Sequence, residues 1–412
     1  MEIIQGKTDC SPAEAGYDAS RLDAVNAFFE RFIEQKVIHG ALYCLARHGK
    51  VFASAAMGKQ HYQKPELLLQ PNSVFAIRTV TETFTSVAIQ ILAEDGLLSI
   101  DDKAAKYLPQ FDGPPYDRIT LIHLLTHTSG LHPDPGVIFD KYNVNYYERI
   151  AEQVEKDGMG TDWIAAGLRA GVHCEPGKRW VMSSFGINVL GAIIEKISGL
   201  KYTDFIIKRI CQPLGMTDTA FTLTPEMADR MTVYDNWGKQ FKDTLENGKM
   251  ANNSIWDTIT APETGLFSTA DDLIRFGIML QNGGVYNDSK SSARRILGRK
   301  AVEKMTKLMI KVPNYSFNGK DHKMHIKRAI RYCTLGFELP HFDGFLTSSG
   351  TYMLQGSGGK TLIVDPAEEL VCVCYYPWVK KDSILLEDDV GEAGWNADCF
   401  YRMFNVLWSG II

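Results

Sequence analysis

Thr79 and Glu82 are residues whose types and spacing could do chemistry. A hydroxyl and a carboxylate three positions apart share one face of a helix, so Glu82 could act as base toward a nucleophilic Thr79. The helix itself is predicted by Phe84, Val87, Ala88, Ile91 and Leu92, apolar at i, i+3, i+4, i+7 and i+8, with Gly96 closing it. The same spacing also spells a capping box, in which the Thr oxygen accepts an amide hydrogen and the Glu side chain reaches back to the cap amide. A carboxylate starts near pKa ~4.3, and a helix N-terminus favours its charged form. Burial would have to overcome both before Glu82 became a useful base. The capping reading is preferred.

The surrounding run Phe75 to Thr85, followed by Leu97 to Asp102, resembles the S-x-x-K region of the serine β-lactamase and penicillin-binding-protein family. Pro176 to Phe185, leading into Val189 to Glu195, resembles that family's proline-glycine stretch, Y-x-N motif and helix. Gly350 to Lys360, leading into Thr361 to Pro366, is similar to its H-x-G or K-x-G strand. Thr120 to Leu131, Pro213 to Met216 and Gly265 to Leu273 match further landmarks, so the resemblance runs from about residue 20 to 380. It points to the group of class C β-lactamases, D-alanyl-D-alanine carboxypeptidases and related esterases.

Carried over position by position, the resemblance puts Thr79 at the nucleophilic Ser and Glu82 at the Lys. Met182 falls on the Tyr, Ser184 on the Asn, Leu354 on the His or Lys, and Gly356 on the Gly. Met cannot transfer a proton, and Ser184 keeps a hydrogen-bonding group without an amide. Gly356 could still offer a backbone amide to an oxyanion, a role that needs no side chain. Arg78 stands where relatives carry a small residue, placed to narrow the site or recruit a carboxylate; Ser357 is a second binding candidate. Losing one member of a cooperating catalytic set costs orders of magnitude, and further losses add little. Efficient β-lactam hydrolysis by the family's usual route is not expected.

Three other signals are discounted. His123 and His127 stand i and i+4, a spacing that can hold a metal, but no Glu follows His123 in H-E-x-x-H fashion and a structural use is favoured. Ser357 to Thr361 ends like a phosphate-binding loop, yet residue 354 is Leu where the first glycine is needed and a strand follows. Ser198 and Lys201 repeat S-x-x-K after a helix end rather than at a helix start.

The elements that must position these residues read as strands at both ends of the chain around a helical middle. Leu22, Val25, Phe28, Phe29 and Phe32 predict an amphipathic helix over Asp18 to Gln35. Ala41 to Ala46 and Val51 to Ala56 predict two strands joined at His48-Gly49-Lys50. Thr361 to Val364 and Leu370 to Tyr376 predict two more, and Trp395 to Trp408 a helix laid on the sheet. The expected fold class is α/β (α+β), of the β-lactamase/transpeptidase-like type. An antiparallel sheet from residues 1–75 and 330–412 would face a mainly helical domain, 76–329, across a cleft.

The composition is ordinary: 412 residues, 45% hydrophobic and 23% charged. A net charge of −5 is too mild to imply nucleic acid or a membrane surface as partner. No apolar stretch approaches the roughly 20 residues of a membrane-spanning helix. Met1 to Ser11 does not read as a secretory signal. The eight cysteines lack metal-ligand spacing, and Cys372 and Cys374 sit in an apolar run, which suggests a reducing, cytoplasmic setting. Lys320, Lys323, Lys327, Arg328 and Arg331 read as a solvated loop. Neither cofactor nor metal is expected. The expected function is a catalytically impaired homologue binding a small molecule or peptide in the interdomain cleft; the alternative is an esterase, amidase or acyltransferase using Thr79.

Overall fold

The computed structural model describes residues 1–132, 146–158, 160–234, 261–287, 293–313, 330–340, 344–356, 358–377 and 402–412. Its centre is a seven-stranded antiparallel sheet built from both ends of the chain. The strands are β1 (Ile3–Gln5), β2 (Gly40–Arg47), β3 (Lys50–His61), β4 (Lys64–Leu68), β5 (Tyr352–Gly356), β6 (Lys360–Asp365) and β7 (Leu370–Tyr375). They run β1-β3-β2-β7-β6-β5 across the sheet, with β4 paired to β3. The β2–β3 hairpin turns through His48 and Gly49, both left-handed at φ 53° and 74°. Two successive positive φ values match the twist of the flanking strands, and Gly supplies one without steric cost.

Both faces of the sheet are covered, which explains why its central strands read as unbroken apolar runs. On one face Leu42, Cys44, Leu354, Leu362, Val364, Val371 and Val373 join a core with the helices Thr81–Glu94 (α2) and Ala270–Gln281 (α5). On the other, Tyr43, Leu45, Ile363, Cys372 and Cys374 pack on Phe28, Phe29 and Phe32 of Ser20–Glu34 (α1). The terminal helix over 402–408 completes that layer with Phe404, Leu407 and Trp408, as the apolar spacing predicts. Helix Leu121–Leu125 (α3) packs on Ser184–Ser198 (α4), which in turn stands against α2 in the first layer. Phe84, Val87, Ala88, Ile91 and Leu92 of α2 are all buried. After Asp95 the chain turns at Gly96, where the Gly96 amide bonds the Ala93 carbonyl and Leu97 that of Leu92.

Ser198 is the last residue of α4, ahead of a left-handed Gly199, so the Ser198–Lys201 pair lies at a helix end. Of the basic run, residues 320–329 lie outside the described residues, as do Ser357 and the 395–401 part of the expected terminal helix.

Candidate functional site

The start of α2 is not built as a capping box. Arg78–Val80 form a short 3₁₀ turn, so Thr79 lies inside a helical turn rather than at a cap position. Neither Ile77, ahead of that turn, nor Val80, ahead of α2, caps with a side chain. The reason lies one residue earlier: Arg78 is left-handed at φ 54°, a conformation that costs a non-glycine residue roughly 1–2 kcal/mol and sets the helix entry before Thr79 can act as cap. Glu82 instead points sideways, its Oε2 3.0 Å from Nε2 of His127. Its place in the first turn of α2 still suits the helix dipole.

His127 is therefore part of the site. It too is left-handed, at φ 52°. The amide of Ser183 donates to its Nδ1 at 3.3 Å, so the neutral ring carries its proton on Nε2 and donates it to the Glu82 carboxylate. Trp180 sets its ring edge-on to the imidazole, with centroids 5.8 Å apart. His123, its i−4 neighbour, does something else: its Nδ1 accepts the Thr120 amide at the start of α3, and burial lowers its pKa. The two histidines do not converge, and among the described residues no group of His, Cys, Asp and Glu is arranged to hold a metal.

Backbone bonds lace the second motif to the turn that carries His127. Val181 donates to the His127 carbonyl, Gly177 to that of Thr128 and His173 to that of Gly130. Met182 packs beside the small apolar cluster of Trp180, Val312 and Cys333. Ser184 opens α4 and is buried.

The third motif comes from β5. Leu354 lies in the core, 7% exposed, so the position expected to offer an imidazole or ammonium is apolar packing. Gly356 abuts the α2 entrance: a Cβ there would sit 2.5 Å from the Ile77 carbonyl oxygen, 3.3 Å from the Arg78 Cβ and 3.4 Å from the Thr79 amide nitrogen. Only glycine lets the strand and the Thr79 turn come this close. Thr79, Arg78 and Gly356 are thus brought together, and Glu82 joins them one helical turn on.

The remaining polar groups of α2 are internal props. Thr85 bonds the Tyr202 hydroxyl and the Pro262 carbonyl, Thr81 accepts the Leu266 amide, and Thr83 bonds back to the Val80 carbonyl. They tie α2 to the 262–266 segment, which flanks the Thr79 turn through Ile77.

The β-lactamase family model matches residues 25–382. The chain belongs to the β-lactamase family. A penicillin-binding protein of Bacillus subtilis is 33% identical over 238 residues, covering 55% of this chain and 49% of that protein. The chain spans about half the length of the curated relatives it matches. Among solved structures, a penicillin-binding protein homologue from Caulobacter crescentus superposes with a TM-score of 0.71 at 16% identity, covering 100% of both chains. Simvastatin synthase from Aspergillus terreus gives 0.69 at 18% identity, covering 95% of this chain and 98% of that one. Both likenesses support the β-lactamase/transpeptidase-like fold. The sequence reading gave His127 a structural use but did not find its partners, Glu82 and the Ser183 amide.

Proposed function

We propose that this β-lactamase-family chain binds a small acyl or peptide ligand at the Thr79–Gly356 junction without efficient turnover by the family's usual route. The carrying observation is the double engagement of His127: one ring nitrogen accepts from the Ser183 amide and the other donates to Glu82. An imidazole held this way has no lone pair to take a proton from Thr79. Met182 and Leu354 offer no proton or charge at the other two motif positions.

The second reading, an esterase, amidase or acyltransferase using Thr79, is favoured by the close approach of Gly356 to the Thr79 amide, which preserves a backbone setting for an oxyanion. Intact mass after exposure to a penicillin and to an activated ester decides between the readings, with Thr79→Ala as control. Unchanged mass and no released product support the binding role. Rapid turnover that disappears with Thr79→Ala overturns it.

A further inference from the structure

Lys360 opens β6 with its side chain wholly buried. Its Nζ donates to the Tyr234 hydroxyl at 2.9 Å and lies 4.1 Å from the centroid of the Tyr234 ring and 5.4 Å from that of Tyr375. Stacking an ammonium on two aromatic faces is a means of holding a cation out of water. Its position on the sheet is what matters. Lys360 pairs directly with Gly356 across the β5–β6 ladder. Directly opposed residues project to the same face. At Gly356 that face is the one carrying Ile77, Arg78 and the Thr79 amide. The ammonium then lies against Gly358, where a Cβ would come within 2.5 Å of Nζ and 2.9 Å of the Tyr234 hydroxyl.

We propose that Lys360, held by Tyr234, supplies from within the sheet the positive charge that favours ligands carrying or acquiring negative charge at the Thr79–Gly356 junction. The family places its third-motif cation two residues before the glycine on the same strand; here that residue is Leu354, and the cation stands across the ladder on the next strand. A charge in low dielectric acts over several ångströms, so Lys360 need not touch the ligand. It is a positioning and electrostatic residue, not a catalytic one.

The inference rests on the proposed ligand site at Thr79, and two probes separate the two ideas. Phenylboronic acid can bind as an anion: a bond forms between a water oxygen and boron, the water proton passes to bulk solvent, and boron becomes a tetrahedral anion that the Thr79 hydroxyl can hydrogen-bond without losing its own proton. Benzamide is of similar size and stays neutral. Binding of both is measured by calorimetry to the natural chain and to Lys360→Met, Lys360→Arg, Tyr234→Phe and Thr79→Ala. Lys360→Met is expected to weaken phenylboronic acid at least tenfold and benzamide less than threefold, whereas Lys360→Arg keeps both within threefold. Tyr234→Phe, which keeps the aromatic face, is expected to weaken phenylboronic acid severalfold and serves if Lys360→Met does not fold. Equal losses for both probes, or none for either, overturn the role of Lys360. Boronate binding unaffected by Thr79→Ala overturns the Thr79 site but leaves the charge selectivity of Lys360 to stand or fall on the ratio of the probes. If the natural chain binds no phenylboronic acid, both ideas fall.

Discussion

Glu82 and His127 meet across the space between α2 and the turn after α3, Oε2 to Nε2 at 3.0 Å, with side-chain exposures of 4% and 12%. Forty-five residues apart in sequence, they form a buried link between the segment carrying Thr79 and the segment that anchors the second motif. Removing one partner leaves the other's polar group buried, which typically costs about 1–3 kcal/mol. A double-mutant cycle of Glu82→Ala and His127→Ala, read by denaturant unfolding, should show non-additivity of about that size. Additive effects would show that the pair is not coupled. Glu82→Lys should also lower the melting temperature, because it sets an ammonium against the Nε2–H.

Gly356→Ala should destabilise the chain by about 1–3 kcal/mol, since the added methyl meets the Ile77 carbonyl, backbone on both sides of the contact. The same variant should weaken any ligand that uses the Thr79 turn. Unchanged thermal unfolding would mean that β5 can withdraw from α2 freely.

Leu354→His tests the proposed third-motif position by placing an imidazole there. Leu354 belongs to the main core, so an imidazole there is expected to cost about 1–3 kcal/mol for its polar atoms alone. A stable variant with new esterase activity would show that this position opens toward ligand after all.

Asp272, near the start of α5, gives a pH signature remote from the site. Burial raises its carboxyl to about 6, against hydrogen bonds from Thr219 and from the Asp218 amide. With the folded value above the unfolded one, the folded state is favoured most below pH ~4, and that advantage is lost as pH rises through 6. The ionised form then costs on the order of 3 kcal/mol above pH 6. Asp272→Asn should flatten the stability difference between pH 4 and 6.5, measured by denaturant unfolding at each pH. A variant whose stability follows the natural pH curve throughout would refute the assignment.

Much of the scaffold was legible because its signals are periodic and local. The α2 face, the helix stop at Gly96, the hairpin turn at His48-Gly49 and the strands at both termini follow from apolar spacing and backbone preference. That Met182 and Leu354 cannot move a proton was also legible, because residue type alone decides it. Glu82 was misread. As a letter three residues after Thr79 it satisfies a capping pattern, but a cap residue must itself be non-helical, and behind the left-handed Arg78 Thr79 lies inside the 3₁₀ turn Arg78–Val80.

The sequence by itself therefore determined the family and the fold, since these depend on residue identity and on contacts a few positions apart. Only the tertiary structure decided where Glu82 and Lys360 direct their charge. Glu82 finds a partner 45 residues away, and Lys360 finds its phenol 126 residues away. Such pairings are set by how separate layers pack, a long-range outcome that no local spacing encodes.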